Sequence, residues 1–258
     1  MTTANADVGV ARDAGFGARG AGGGRVVPEQ HHDHRDVTGG WLRAGVFGAM
    51  DGLVSNTALI SGVAGGGAPA RTVLLTGLAG LVAGAFSMAT GEYTSVRSQN
   101  EATLAEVAVE ALELERNGPA EQAELAALYR RRGLDAELAA QVAAALSKDP
   151  AAALRVHTQE ELGVDLDHLP SEWTAAGSSL AAFALGAVVP MLPFVLGTPS
   201  ALLLAFLLTA LALFGAGALV SRFTGRSVWL SGGRQLALGG VACAVTYGIG
   251  ALVGTGVS

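Results

Sequence analysis

The chain has 258 residues, 50% of them hydrophobic and only 15% charged, with a formal net charge of −6 and a mean hydropathy of +0.43. A water-soluble domain carries about 25% charged residues, so a wholly soluble protein is excluded. Nucleic acid is excluded as a partner too, because no basic patch exists to displace counterions from phosphates. The acidity is confined: residues 92–172 hold 16 of the 22 acidic residues against 7 basic ones, and none occurs from Trp173 to Ser258.

Residues 1–36 are rich in Gly and Ala and lack the continuous apolar region of a cleavable signal peptide. They read as a flexible tail, and the run His31-His32-Asp33-His34 within it is an accessory metal binder at most. A bilayer core of about 30 Å requires about 20 mostly apolar helical residues. Five stretches meet that requirement: Leu42 to Ala64, Thr72 to Tyr93, Trp173 to Leu196, Ser200 to Ser221 and Gln235 to Val257. The third contains Pro190 and Pro193, tolerated in a span where neighbouring groups satisfy the freed carbonyls. Gly45, Gly48 and Gly52 in the first stretch, and Gly77, Gly80 and Gly84 in the second, predict a close pairing of those two helices. The lone cysteine, Cys243, lies in an apolar run and reads as a small buried side chain.

Between the second and third spans the punctuation is helical throughout. A first helix continues from the second span and stops near Asn117-Gly118-Pro119, and a second runs from Pro119 to about Arg132 and Gly133. A third covers about Asp135 to Ser147, and Asp149-Pro150 opens a fourth that ends at Gly163. The expected fold is an all-α integral membrane protein with five transmembrane helices and a cytoplasmic helical insert between helices 2 and 3. The expected divisions are residues 1–36 (tail), 37–93 (helices 1–2), 94–172 (acidic helical metal-binding domain) and 173–258 (helices 3–5). Basic residues favour the cytoplasmic side. The fourth-to-fifth connection, Ser221 to Arg234, carries Arg222, Arg226 and Arg234, which places the N-terminus and the insert in the cytoplasm. Arg71, in the first external loop, dissents mildly.

Asp51 is the sharpest chemical feature. It stands near the middle of the first span, where a charge costs about 2.5–3.5 kcal/mol even on insertion scales and marks function by default. Ser55 and Asn56 follow one turn later, and Met88 and Glu92 share a face of the second span. If Met88 meets Asp51, a carboxylate oxygen and a thioether sulfur suit a borderline transition metal better than Ca²⁺ or Mg²⁺. In the insert, Glu106, Glu110 and Glu113 stack on one helical stripe, and Glu121 and Glu124 repeat the spacing. Like charges so placed repel unless bridged by cations, so the stripe is either a solvated face or a metal site. His157, Glu160 and Glu161, within about one turn, add an imidazole and carboxylates; His168 follows as a surface residue.

These residues together resemble the vacuolar iron transporter family, over roughly His31 to the C-terminus. The resemblance is carried by Gly48-Ala49-Met50-Asp51-Gly52-Leu53-Val54-Ser55-Asn56, by Ser87-Met88-Ala89-Thr90-Gly91-Glu92-Tyr93-Thr94-Ser95, by the acidic insert ending in Glu160-Glu161-Leu162-Gly163, and by Pro190-Met191-Leu192-Pro193-Phe194. It implies a five-span homodimer with a cytoplasmic three-helix metal-binding domain, exporting Fe²⁺ and often Mn²⁺ in exchange for protons. It further implies metal positions at Asp51 and Met88 in the membrane, and at Glu110, Glu113, Glu121, Glu124 and Glu161 in the insert. Family members commonly have Asn where Met50 stands, and Met ligands where His157 and Thr158 stand.

The expected function is therefore a divalent-metal transporter of a bacterial inner membrane, not an enzyme. Metal is its substrate, with no permanently bound cofactor; its partners are a second copy, lipid and protons. Two alternatives stand beside it: a membrane-anchored ferritin-like di-iron oxidase, which needs Glu-x-x-His pairs that the insert lacks, and a metal sensor anchored by its spans.

Overall fold

A computed structural model describes residues 40–256. The N-terminal tail, with its His31–His34 run, lies outside the described residues. Within them the protein is helical, without a strand, and five helical segments are long and apolar enough to cross a membrane. The first two are α1 (Gly40–Gly65) and α2 (Ala70–Arg131). The insert continues with α3 (Ala136–Leu146) and α4 (Pro150–His157). The remaining spans are formed by α5 (Glu172–Val188) with the short α6 (Leu192–Val195), then α7 (Ala201–Thr224) and α8 (Val228–Gly256).

At 1.5 Å per residue α2 is about 90 Å long, about three times the bilayer core, so most of it belongs to the insert. Its predicted stop at Asn117-Gly118-Pro119 is a bend: Asn117 leaves helical geometry (φ −132, ψ 34), and the helix resumes through Pro119. Proline removes a donor and crowds the preceding turn, which suffices to bend a helix packed on both sides of it. Gly133 (φ +104) ends α2. Asp135 caps α3 through the Leu138 amide at 2.9 Å, and Asp149 caps α4 through the Ala151 amide at 3.2 Å. The Asp149 cap is the one that Asp149-Pro150 predicts, whereas Asp135, expected as the start of its helix, caps it instead.

Two expectations change. The last span starts at Val228, not Gln235, because Val228-Trp229-Leu230 continues the helix as soon as Gly225 (φ +65) has turned the chain. Arg234 therefore lies in α8 rather than in a loop. The glycine stripes also meet different partners. A Cβ on Gly48 would stand 2.6 Å from the Ser179 carbonyl oxygen, and one on Gly52 would overlap the Phe183 carbonyl and sit 2.9 Å from the Ala187 amide, so this stripe packs on α5 rather than α2. Gly45 touches nothing within 4 Å. In α2, Gly77 and Gly80 do receive Ile60 and Asn56 of α1, but Gly84 receives Phe183 of α5. Farther along α1, Gly62 and Gly65 meet Gly250 and Tyr247 of α8. Helix α1 is thus the centre of the bundle, held by small residues on two sides.

Because backbone atoms cannot yield at Gly52, Gly52→Ala should cost about 1–3 kcal/mol. Thermal unfolding in detergent will show a clear loss for this variant, with Gly45→Ala unchanged. Equal behaviour of the two would contradict the packing described.

Candidate functional site

Three helices enclose a cavity of about 190 Å³ in the membrane-crossing part of the bundle. Helix α1 contributes Asp51, Ser55, Asn56 and Leu59; α2 contributes Gly80, Gly84, Ser87 and Met88; α5 contributes Phe183. The glycines keep the walls low enough for the polar groups to face one space. Ser55 Oγ donates to Asp51 Oδ1 at 2.6 Å. Asn56 is buried, and its Nδ2 donates to the Ala187 carbonyl at 2.7 Å. Ala187 lies one turn before Pro190, where α5 tightens into a short 3₁₀ turn (Val189–Met191), so Asn56 supplies a donor where the regular helix ends. Asn56 Oδ1 is left buried without a hydrogen-bond partner, beside Gly80. A buried orphan oxygen is uncommon. It lines the cavity together with the Asp51 carboxylate and the Met88 thioether, oxygen and sulfur donors of the kinds that borderline metals accept.

Glu92 does not line this cavity. One turn beyond Met88, it is buried and its Oε2 accepts from Arg43 Nη2 at 2.9 Å. Arg43 had no assigned role in the sequence, since nothing local signals a partner 49 residues away.

The second cluster lies in the insert. His157, at the end of α4, is fully buried, with Nδ1 3.0 Å from Glu110 Oε1 and 3.1 Å from Glu161 Oε1. The ligand atoms of Glu110, His157 and Glu161 all lie within 4.8 Å of one another. Only the Glu161 contact has hydrogen-bond geometry; Glu110 Oε1 and His157 Nε2 are buried without a partner. A cation among these atoms would satisfy them. The local cause is a π-helical turn over Thr158–Leu162, closed by Gly163 at φ +67. The wider turn directs Glu161 back to His157 and sends Glu160 elsewhere, to the Tyr129 hydroxyl at 3.3 Å and to Arg132. Such turns recur at functional sites.

Of the other predicted insert positions, Glu121 is buried, whereas Glu106, Glu113 and Glu124 are exposed. Burial first, then the Glu161 carboxylate, pushes the Glu110 carboxyl above its ordinary range, against the opposing pull of His157. Burial and then Glu124 push Glu121 the same way. Neighbouring carboxylates thus feel one another across the stripe, although only three ligating residues converge.

The sign for stability follows. A carboxyl whose folded pKa exceeds its unfolded value binds protons more tightly when folded, so it weakens the fold as pH rises above the ordinary Glu range through the raised values. A divalent cation removes that penalty. The gain in unfolding temperature on adding Mn²⁺ should therefore be larger at about pH 7 than at about pH 5. A gain independent of pH over that interval would contradict the assignment.

A carboxylate and a thioether line one cavity within the membrane-crossing helices of this multi-pass protein, and one long helix links them to a carboxylate–imidazole cluster in the insert. The chain belongs to the VIT family, whose pattern it matches over residues 42–251. Its family makes it a transporter rather than an enzyme. It is similar to a protein of Acanthamoeba castellanii named vacuolar iron transporter, with 38% identity over 237 residues, covering 88% of this chain and 84% of that protein. Vacuolar iron transporter 2 of Oryza sativa subsp. japonica is 30% identical over 227 residues (87% and 92% covered). Vacuolar iron transporter homolog 1 of the same plant is 36% identical over 216 residues (83% and 74% covered).

Proposed function

We propose that the protein transports Fe²⁺, and Mn²⁺ as a second substrate, out of the cytoplasm in exchange for protons. The observation that carries this reading is that Asp51 and Met88, from different helices, line one cavity within the spans. The names of the relatives support iron as the metal. In this scheme the insert is cytoplasmic, and Glu110, His157 and Glu161, with Glu113, Glu121 and Glu124 around them, collect the ion. The ion then passes Glu92 to Asp51, Asn56 and Met88. Protonation of Asp51 from the far side releases it, since desolvation favours the neutral carboxyl. In this scheme the membrane is the inner membrane of a bacterial cell.

The same reading includes a homodimer. Ala83, Ser87, Thr90, Gly91, Thr94 and Ser95 form, beside the exposed Phe86, a shallow depression of mostly small residues along α2, open to the outside of the single chain. Such a surface faces another helix more readily than lipid. In the insert, Leu104, Val109 and Leu112 are about half exposed on the same helix, and a second copy would cover them.

The test is reconstitution into liposomes with an acidic lumen and an entrapped Fe²⁺-sensing dye. Fe²⁺ should accumulate, and dissipating the proton gradient should stop accumulation above equilibrium. Uptake indifferent to the gradient would replace antiport with passive flow.

A further inference from the structure

Arg43 and Glu92 form an ion pair between the level of the membrane cavity and the insert. The spanning parts of α1 and α2 contain four charged residues, Arg43, Asp51, Arg71 and Glu92. Arg71 lies at the opposite end. Helices α1 and α2 run in opposite directions, so a position before Asp51 in α1 and one after Met88 in α2 shift toward the same, insert-proximal end. Glu92 is one helical turn from Met88, about 6 Å along the axis, and Arg43 about two turns from Asp51. The long arginine side chain closes the difference in level and meets the carboxylate at 2.9 Å.

The burial of the two partners is unequal: 9% of the Glu92 side chain is exposed against 66% of Arg43. The carboxylate is built into the helix seam, and the guanidinium reaches in from outside. A buried charged carboxylate is stabilised by a cation beside it, and Arg43 and an arriving metal ion compete for that place on Glu92. Other contacts at this level bind α2 to the chain entering α5: Tyr93 stacks on Trp173 with centroids 4.8 Å apart, Arg97 pairs with Glu172 at 3.4 Å, and Asn100 donates to the Pro170 carbonyl at 2.9 Å. The start of α1 is held to the same group independently, because Ser178 Oγ donates to the Trp41 carbonyl at 3.0 Å and Ala44 is buried with Val96 and Ala175, so releasing Arg43 moves a side chain and leaves the helices in place.

We propose that Arg43 is a tethered counter-cation that closes the insert-side approach to the Asp51–Met88 cavity by occupying Glu92, and that a divalent metal opens the approach by taking that carboxylate from it. This rests on the transport reading above. The double charge of a dication competes for this one carboxylate against a guanidinium held by a single contact of 2.9 Å, where a monovalent ion competes more weakly.

The experiment uses accessibility, not flux. In the full chain with Cys243→Ala, Ser55→Cys places a reporter thiol on the cavity wall, away from the outward depression on α2. A membrane-impermeant thiol reagent is then added to the insert side of protein in liposomes. Labelling should be slow, and Mn²⁺ should accelerate it about tenfold, the scale set by losing one charge-assisted hydrogen bond. Arg43→Gln should label about tenfold faster without Mn²⁺ and respond little to it. The exchanged pair, Arg43→Glu with Glu92→Arg, should label slowly and ignore Mn²⁺, because the residue beside Met88 is now cationic.

Slow labelling of Arg43→Gln, or an exchanged pair that answers Mn²⁺ as the parent does, would leave the pair a structural brace and overturn the proposal. Should Arg43→Gln fail to fold, the parent's response decides: no acceleration by Mn²⁺ overturns it. Fe²⁺ flux in the same liposomes separates the two claims. Flux with labelling indifferent to Arg43 sinks the latch alone, whereas labelling that follows Arg43 without any flux sinks the transport reading and leaves the latch.

Discussion

Asp51→Ala should reduce Fe²⁺ transport by about two to three orders of magnitude while leaving the fold intact. Removing one partner from a buried charge pair costs about 3–5 kcal/mol, and about 1.4 kcal/mol is a factor of ten. A dication in the cavity keeps Met88 and Asn56 as neutral donors but loses its only carboxylate. The fold should survive because Asp51 bonds only to Ser55, its neighbour one turn away, whereas the helix packing rests on Gly48, Gly52 and Gly186. Asp51→Asn is the sharper comparison: it preserves shape and removes both the charge and the exchangeable proton. Flux by this variant within a few-fold of wild type would place the route elsewhere.

The second large effect belongs to the insert. Glu110→Gln together with Glu161→Gln should weaken Mn²⁺ or Co²⁺ binding at this site by about a hundredfold or more, since even residues behind the ligands commonly contribute 10–100-fold. Glu106→Gln, on the exposed stripe apart from the three converging residues, should change affinity little. Titration of the full chain distinguishes the two readings of the acidic stripe. Equal small losses in all variants would make it a solvated face. His157→Ala adds a separate signature: the visible spectrum of bound Co²⁺ should change when an imidazole nitrogen leaves its donor set.

Local chemistry explains what could be read from the residues alone. Asp135 and Asp149 cap the helices they precede, Gly133 and Gly163 turn the chain at positive φ, and Pro119 breaks helical geometry at Asn117. Each is a signal spanning a few residues. Asp51 and Met88 stand out in the sequence because a carboxylate within a span demands an account, and both line one cavity.

What escaped depends on the third dimension. A glycine stripe says that a helix comes close, not which one: the α2 stripe meets α1 at Gly77 and Gly80 as expected, whereas Gly48 and Gly52 of α1 pack on α5. Arg43 and Glu92 are 49 residues apart, and no periodicity links them. The π-helical turn at Thr158–Leu162 separates Glu160 from Glu161, sending adjacent and chemically identical residues to different partners. Likewise, full burial of His157 depends on α4 packing against α2, which its one-dimensional surroundings do not reveal.

The most direct test of the account follows metal and proton together in liposomes holding either the wild type or Asp51→Asn at matched amounts. The wild type should move Fe²⁺ with protons passing the opposite way, and Asp51→Asn should lose both movements together. Fe²⁺ flux that persists in Asp51→Asn, or a wild type that binds metal without moving it, would contradict the assignment of Asp51 and Met88 as the transport site.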